Sequence, residues 1–298
     1  MIRLEKTSGG AVAAAINAER HRLGSPTTGM VLTLLIMADE ETQSDATAAA
    51  ASVARQHPMR IITLIGRPEG RAAQLDAEIS VGGDEGPGEV AILRLRGELA
   101  EHGNSVAVPL LLPDTPVVAY WPGSAPDVPA DSPIGRHSQR RITDAAAADD
   151  PIEALRTRKR GYRPGDTDLA WARCTQWRSV LAAAFDAPLG EVHHIRVEGE
   201  RDNPSVILLG AWLSQCFQAS VETVWNENLG ISSVTLDLDD GQMSITRQDE
   251  KTACIARPGR ADAQITLPRR STPALMAEEL RRLDPDDMYG SVITNLEI

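Results

Sequence analysis

The residues of this chain that could do acid/base or anion chemistry fall into a few short clusters. In "EGERD", Glu198, Glu200 and Asp202 alternate on one side of an extended segment, a spacing that lets carboxyl groups share a substrate as general acid and base. "SQRRITD" and "LPRRS" carry the pairs Arg140-Arg141 and Arg269-Arg270, and a guanidinium fork fits a phosphate or a carboxylate. His193 and His194 are adjacent; neighbours on a strand point to opposite faces, so the two cannot share one metal. Cys174, Cys216 and Cys254 lie about 40 residues apart without a C-x-x-C pair, which leaves no readable zinc site and argues for buried structural thiols over a disulfide framework.

None of these clusters completes a catalytic set. The dinucleotide motif G-x-G-x-x-G, the phosphate loop G-K-[ST] and the nucleophile elbow G-x-S-x-G are missing from their required places. "VGGDEGPGEV" has the glycines but sits between two strands with no basic residue, as expected of a turn. Each cluster also has a plain structural explanation. The carboxylates suit a solvated strand end ahead of a helix N-terminus, and the arginine pairs suit surface salt bridges. No catalytic, cofactor or metal residue is assigned, and a binding or regulatory role is favoured. The alternative is a sugar-phosphate-binding sensor or enzyme that uses the paired arginines with Glu198, Glu200 and Asp202. A general scaffold is a third class, marked by large exposed apolar patches.

The elements that must position these residues divide into two halves. "SGGAVAAAINAERHRLG" reads as a helix capped by Gly24. "MVLTLLIMA" and "MRIITLIG" are dominated by aliphatic and β-branched residues, as strands buried on both faces are, and "SDATAAAASVARQHP" between them is a helix with Ser44 or Asp45 as N-cap. That is a parallel strand-helix-strand unit. "LDAEISVG" and "EVAILRLRG" form an edge hairpin, and "TPVVAYW" is a further strand stopped at Trp121-Pro122-Gly123.

A mixed-charge stretch with little apolar periodicity follows. We place an N-terminal α/β domain at 1–145, a linker at 146–165 and a C-terminal α+β domain at 166–298. The second half opens with the amphipathic helix "DLAWARCTQWRSVLAAAFD", in which Trp171 and Arg178 lie two turns apart on nearly one line, placed to stack. After "HHIRVEGE", Asn203 caps and Pro204 starts a helix that is apolar nearly all round. An antiparallel meander and a helix from "STPALMAEELRRLD" complete it. The fold class is α/β plus α+β, with a mixed or parallel N-terminal sheet flanked by helices and a C-terminal meander packed on helices.

Composition narrows the partners. The 298 residues carry a net charge of −12, with 42% hydrophobic and 24% charged residues. Lys occurs only as Lys6, Lys159 and Lys251, and the arginines are interspersed with Asp and Glu, so no basic face is marked out for nucleic acid. The longest apolar runs fall well short of the ~20 residues that span a bilayer, and the N-terminus lacks a signal-peptide core. A cytoplasmic protein with no membrane partner is expected.

Read in order, "HPMRIITLI", "PLLLPDTPVVAYWPG", "RRITD", "DLAWARCTQWRSVLAAAFD", "VEGERDNPSVILLGAWL", "LPRR" and "AEELRRLDPDDMY" resemble the signature blocks of the glucose-6-phosphate dehydrogenase assembly protein family, OpcA, from about Val31 to Tyr289. The Ala- and Arg-rich composition suits its actinobacterial branch. The resemblance implies a non-enzymatic activator that binds glucose-6-phosphate dehydrogenase, the NADP-dependent entry enzyme of the oxidative pentose phosphate pathway, and promotes its active oligomer or raises its activity. Thiol control, linked to cyanobacterial relatives, is not carried over to the isolated cysteines. Because exposed aromatics and arginines dominate interface hot spots, Trp121, Arg140, Arg141, Asp168, Trp171 and Arg178 are the candidate docking residues, at a strand end, a linker and a helix border.

Overall fold

A computed structural model describes residues 1–24, 29–68, 72–82, 88–185 and 190–298. The chain forms two compact units. One holds residues Met1–Asp144, Gly165–Thr167 and Thr272–Pro285, the other Ala145–Pro164, Asp168–Ser271 and Asp286–Ile298.

In the first unit, β1 (Ile2–Leu4) precedes helix α1 (Gly9–Leu23), which Ser8 caps and left-handed Gly24 ends. There follow β2 (Leu32–Ala38), α2 (Gln43–Ala54), β3 (Met59–Arg67), β4 (Gln74–Val81), β5 (Glu89–Arg96), the short α3 (Gly103–Ala107), β6 (Val117–Trp121), β7 (Arg140–Thr143) and β8 (Asp166–Asp168). The sheet order is β1-β4-β5-β3-β2-β6-β7-β8. From β5 to β7 neighbours run parallel, as continuous apolar strands such as Leu32–Ile36 require when both faces are covered. Helix α1 contributes Val12 and Ile16 to the core on one face, beside Leu35, Ile62 and Ile79. On the other face Thr47 of α2 bonds Thr63 through their hydroxyls at 2.8 Å.

Three expectations change in this unit. The hairpin β4–β5 is not the sheet edge, because β4 also pairs with β1; β1 is too short to announce itself in sequence, and the hairpin turn lies outside the described residues. Neither Ser44 nor Asp45 caps α2: Asp39 accepts from the N–H groups of Glu41 at 3.0 Å and Thr42 at 2.7 Å, and its carbonyl accepts from Gln43. The helix Thr272–Arg281 (α7), read as closing the C-terminal half, counts with the first unit and packs on α2.

The second unit contains α4 (Pro151–Gly161), α5 (Leu169–Phe185), β9 (Val192–Glu200), α6 (Pro204–Phe217), β10 (Ser220–Asn226), β11 (Ile231–Leu238), β12 (Gly241–Arg247), β13 (Thr252–Ala256), β14 (Ala263–Thr266) and α8 (Asp287–Thr294). Its sheet order is β10-β9-β11-β12-β13-β14. The meander β11 to β14 is antiparallel as expected. β10 runs parallel to β9 with α6 as the crossover, so this half also contains a strand-helix-strand unit. The stretch expected as a linker, 146–165, holds α4, capped by Asp150 through the N–H of Glu153, with Leu155 in the core. Leu155, Trp177, Leu209 and Val292 join four helices to the apolar face of the sheet.

Candidate functional site

In the first unit the chain leaves β2 for β3 on one side and reaches β6 on the other. Open α/β sheets bind ligands outside the carboxyl ends of their strands at such a reversal. A cavity of about 540 Å³ lies there, lined by Met37 at the end of β2, Gly66 of β3, Trp121 of β6 and Ile134 in the loop beyond. Alternation along β6 sends Trp121 to the side where Leu64 and Ile134 pack. Trp121 and Tyr120 are both buried.

A dinucleotide would need the turn after β2 to offer free N–H groups to its pyrophosphate. The residues here do not fit that need. The turn is "ADEET", and the donors of Glu41 and Thr42, with the Thr42 hydroxyl at 2.8 Å, converge on the Asp39 carboxylate. These bonds, the Thr42 N–H first, hold the Asp39 carboxyl below its ordinary value, against a smaller opposing effect of burial. An ionised carboxylate therefore sits where a phosphate would. Glu101 adds a second acidic group to the lining, and no lysine or arginine is among the lining residues.

The six docking candidates do not form one patch. Five are buried: Trp121, Arg140, Arg141, Asp168 and Trp171 are each under 8% exposed. Arg140 and Arg141 are adjacent on β7 and diverge. Arg140 ion-pairs with Glu279 and donates to the Asp284 carbonyl at 2.7 Å, whereas Arg141 ion-pairs with Asp166 and donates to the Ser138 carbonyl at 2.7 Å. The expected surface pair is thus two separate internal ion pairs.

Asp168 accepts from the N–H of Ala145 at 3.0 Å and of Ala170 at 2.8 Å. Trp171 packs against Tyr289 with ring centroids 5.9 Å apart and donates its indole N–H to Asp286 at 2.8 Å. Arg178, half-buried, stacks over the Trp171 ring at 3.7 Å, as their spacing predicts. Sequence reasoning missed Asp39, Glu279 and Asp286. Only Asp39 had a local signal, a D-x-x-T step straight after an apolar run.

The carboxylate cluster does not assemble. Glu200 accepts from the Gly230 N–H and the Asn203 side-chain amide, both at 2.9 Å. Asp202 lies in the following turn with a φ of 58°. His193 pairs with Asp239 at 2.6 Å and His194 approaches Asp237 at 3.5 Å, on separate faces. Cys174 is buried, and burial pushes its thiol up to about 12, as expected of a structural thiol; Cys216 is exposed. Among the described residues no group of three or more His, Cys, Asp or Glu could hold a metal ion, and no helix is long and apolar enough to cross a membrane.

These features define a two-unit α/β protein whose reversal-point cavity faces its ligand space with carboxylates. The chain belongs to the glucose-6-phosphate dehydrogenase assembly (OpcA) family. The family's "glucose-6-phosphate dehydrogenase subunit N-terminal domain" matches residues 50–160 and its "C-terminal domain" matches residues 164–293. No curated protein matches the chain.

Solved structures resemble it distantly. A 3-ketoreductase from Actinomadura kijaniata in complex with TDP-benzene and NADP, in an open conformation, shares 10% identity at a TM-score of 0.48, over 90% of this chain and 95% of that one. A putative oxidoreductase from Klebsiella pneumoniae shares 11% at 0.47, over 89% and 90%. An oxidoreductase from Sinorhizobium meliloti shares 9% at 0.47, over 89% and 86%. Likeness of this degree speaks to neither cofactor nor activity.

Proposed function

We propose that this chain is a non-catalytic subunit that binds glucose-6-phosphate dehydrogenase and favours its active oligomer or conformation, supporting NADPH production in the oxidative pentose phosphate pathway. The observation that carries this reading is the collinear match of both family domains over residues 50–293. The carboxylate seated at the reversal point supports the non-catalytic part, since it opposes a pyrophosphate at the place where this sheet topology would receive one.

An activator must bind the active form more tightly than the inactive one, because equal affinity for both shifts nothing. Of the six candidates, half-buried Arg178 is the one a partner can approach directly, and Trp121 is buried beneath the cavity it lines. Arg140, Arg141, Asp168 and Trp171 act by holding the backbone around them. The test is capture of the tagged full chain from the lysate of its own cell, with the retained proteins identified. Glucose-6-phosphate dehydrogenase is expected among them; its absence under native conditions would overturn the proposal.

A further inference from the structure

The second unit holds a cavity of about 230 Å³ lined by four arginines. Arg173 comes from α5, Arg247 from β12, and Arg269 and Arg270 from the segment after β14. Arg247 is fixed by the carbonyls of Leu267 at 2.5 Å and Ile231 at 3.3 Å, and Arg269 by the carbonyl of Leu229 at 2.5 Å. These are neutral partners, so they aim the two guanidinium groups without cancelling their charge. Burial, and after it the charge of Arg269, depress the Arg247 pKa; arginine stays protonated even so. The one carboxylate in the lining, Glu200, already accepts from Gly230 and Asn203. Gly230 lets that loop come close, for a Cβ there would stand 3.2 Å from an Arg269 nitrogen.

Two further features point to an anion. Helix α6, 14 residues long, starts at this cavity; Asn203 takes the N–H groups of Ser205 and Val206 and Pro204 has none, so the helix contributes the positive end of its dipole, which attracts negative charge. Ser205, in its first turn, lines the cavity; it is 2% exposed and its hydroxyl is buried with no hydrogen-bond partner, an unusual state for a buried polar atom.

We propose that this cavity binds a small phosphomonoester, its phosphate held by Arg247, Arg269 and the Ser205 hydroxyl, with the positive end of the α6 dipole beside it. A phosphomonoester carries nearly two charges and several acceptor oxygens, which suits convergent guanidinium forks better than a single carboxylate does. The cavity is small, so the phosphate carries a compact body such as one sugar ring, or none. Of the three arginine pairs in the sequence, Arg140-Arg141, Arg269-Arg270 and Arg281-Arg282, only Arg269-Arg270 lines this cavity. This inference does not rest on the dehydrogenase reading, and either can fail alone.

Calorimetry on the full chain at low ionic strength tests it, with inorganic phosphate, glucose 6-phosphate and uncharged glucose as probes. Saturable 1:1 heat with a phosphate-bearing probe and none with glucose is expected. A larger affinity for glucose 6-phosphate identifies a sugar phosphate as the ligand, and equal affinities identify phosphate alone. Arg269→Gln and Arg247→Gln should each weaken binding by roughly tenfold or more, Ser205→Ala by about threefold, and Arg156→Gln, at an exposed position of α4, should change nothing. Thermal melts show which variants fold, and Arg269→Lys, which keeps the charge but loses the fork, serves if Arg269→Gln does not. No heat from any phosphate probe on the native chain, or undiminished binding by the folded variants, would overturn the inference.

Discussion

Asp39 orders the turn that leaves β2. Its carboxylate takes the N–H groups of Glu41 and Thr42, so Asp39→Ala should lower stability by about 1 kcal/mol, as loss of a helix cap does, read as an earlier urea midpoint. Arg141→Ala is expected to cost about 3 kcal/mol, because it removes the buried guanidinium that ion-pairs with Asp166. A partner-binding defect in that variant counts only if its melting curve shows it folded. His193 provides a pH signature. The Asp239 carboxylate bonded to it raises its pKa, so the pair's stabilising effect is full below the unfolded value of about 6.5 and fades as pH rises through the folded value. NMR titration should place the His193 midpoint above that of a free histidine, and Asp239→Asn should bring it down. The pairing of His193 with Asp239 spans 46 residues, and no spacing rule in a single sequence reaches that far.

At the scale of elements, legibility followed apolar pattern. β2, β3 and β6 were readable because continuous aliphatic runs leave few other options, and α6 because Asn203 and Pro204 mark its start. Elements that depend on partners were not. β8 is Asp-Thr-Asp, with no apolar signal, and is defined only by its neighbour β7. α4 shows one fully buried apolar side chain, Leu155, among charges, so its periodicity is faint and the stretch resembles a linker. Helix α5 was readable, but the depth of Trp171 was not, since Asp286 and Tyr289 cover it from 115 and 118 positions away. Trp171→Ala should cost about 4 kcal/mol through the cavity it leaves, measured by chemical denaturation. Trp171→Phe should keep most of the packing while losing the bond to Asp286.

Across the whole molecule, family membership was legible in ordered sequence blocks and the interface was not. Residue type and position mark the six docking candidates, yet five of them are buried, because composition cannot separate an exposed anchor from an internal one. The proposed activity asks little of any single contact. A preference of ~3 kcal/mol for the active form changes activity by on the order of a hundredfold when the inactive form dominates. The most direct measurement is sedimentation velocity of glucose-6-phosphate dehydrogenase with and without an equimolar amount of this chain, read together with the rate of NADP reduction on the same samples. A larger species containing both chains and a faster rate are expected. Two independently sedimenting proteins with an unchanged rate would contradict the proposed activity.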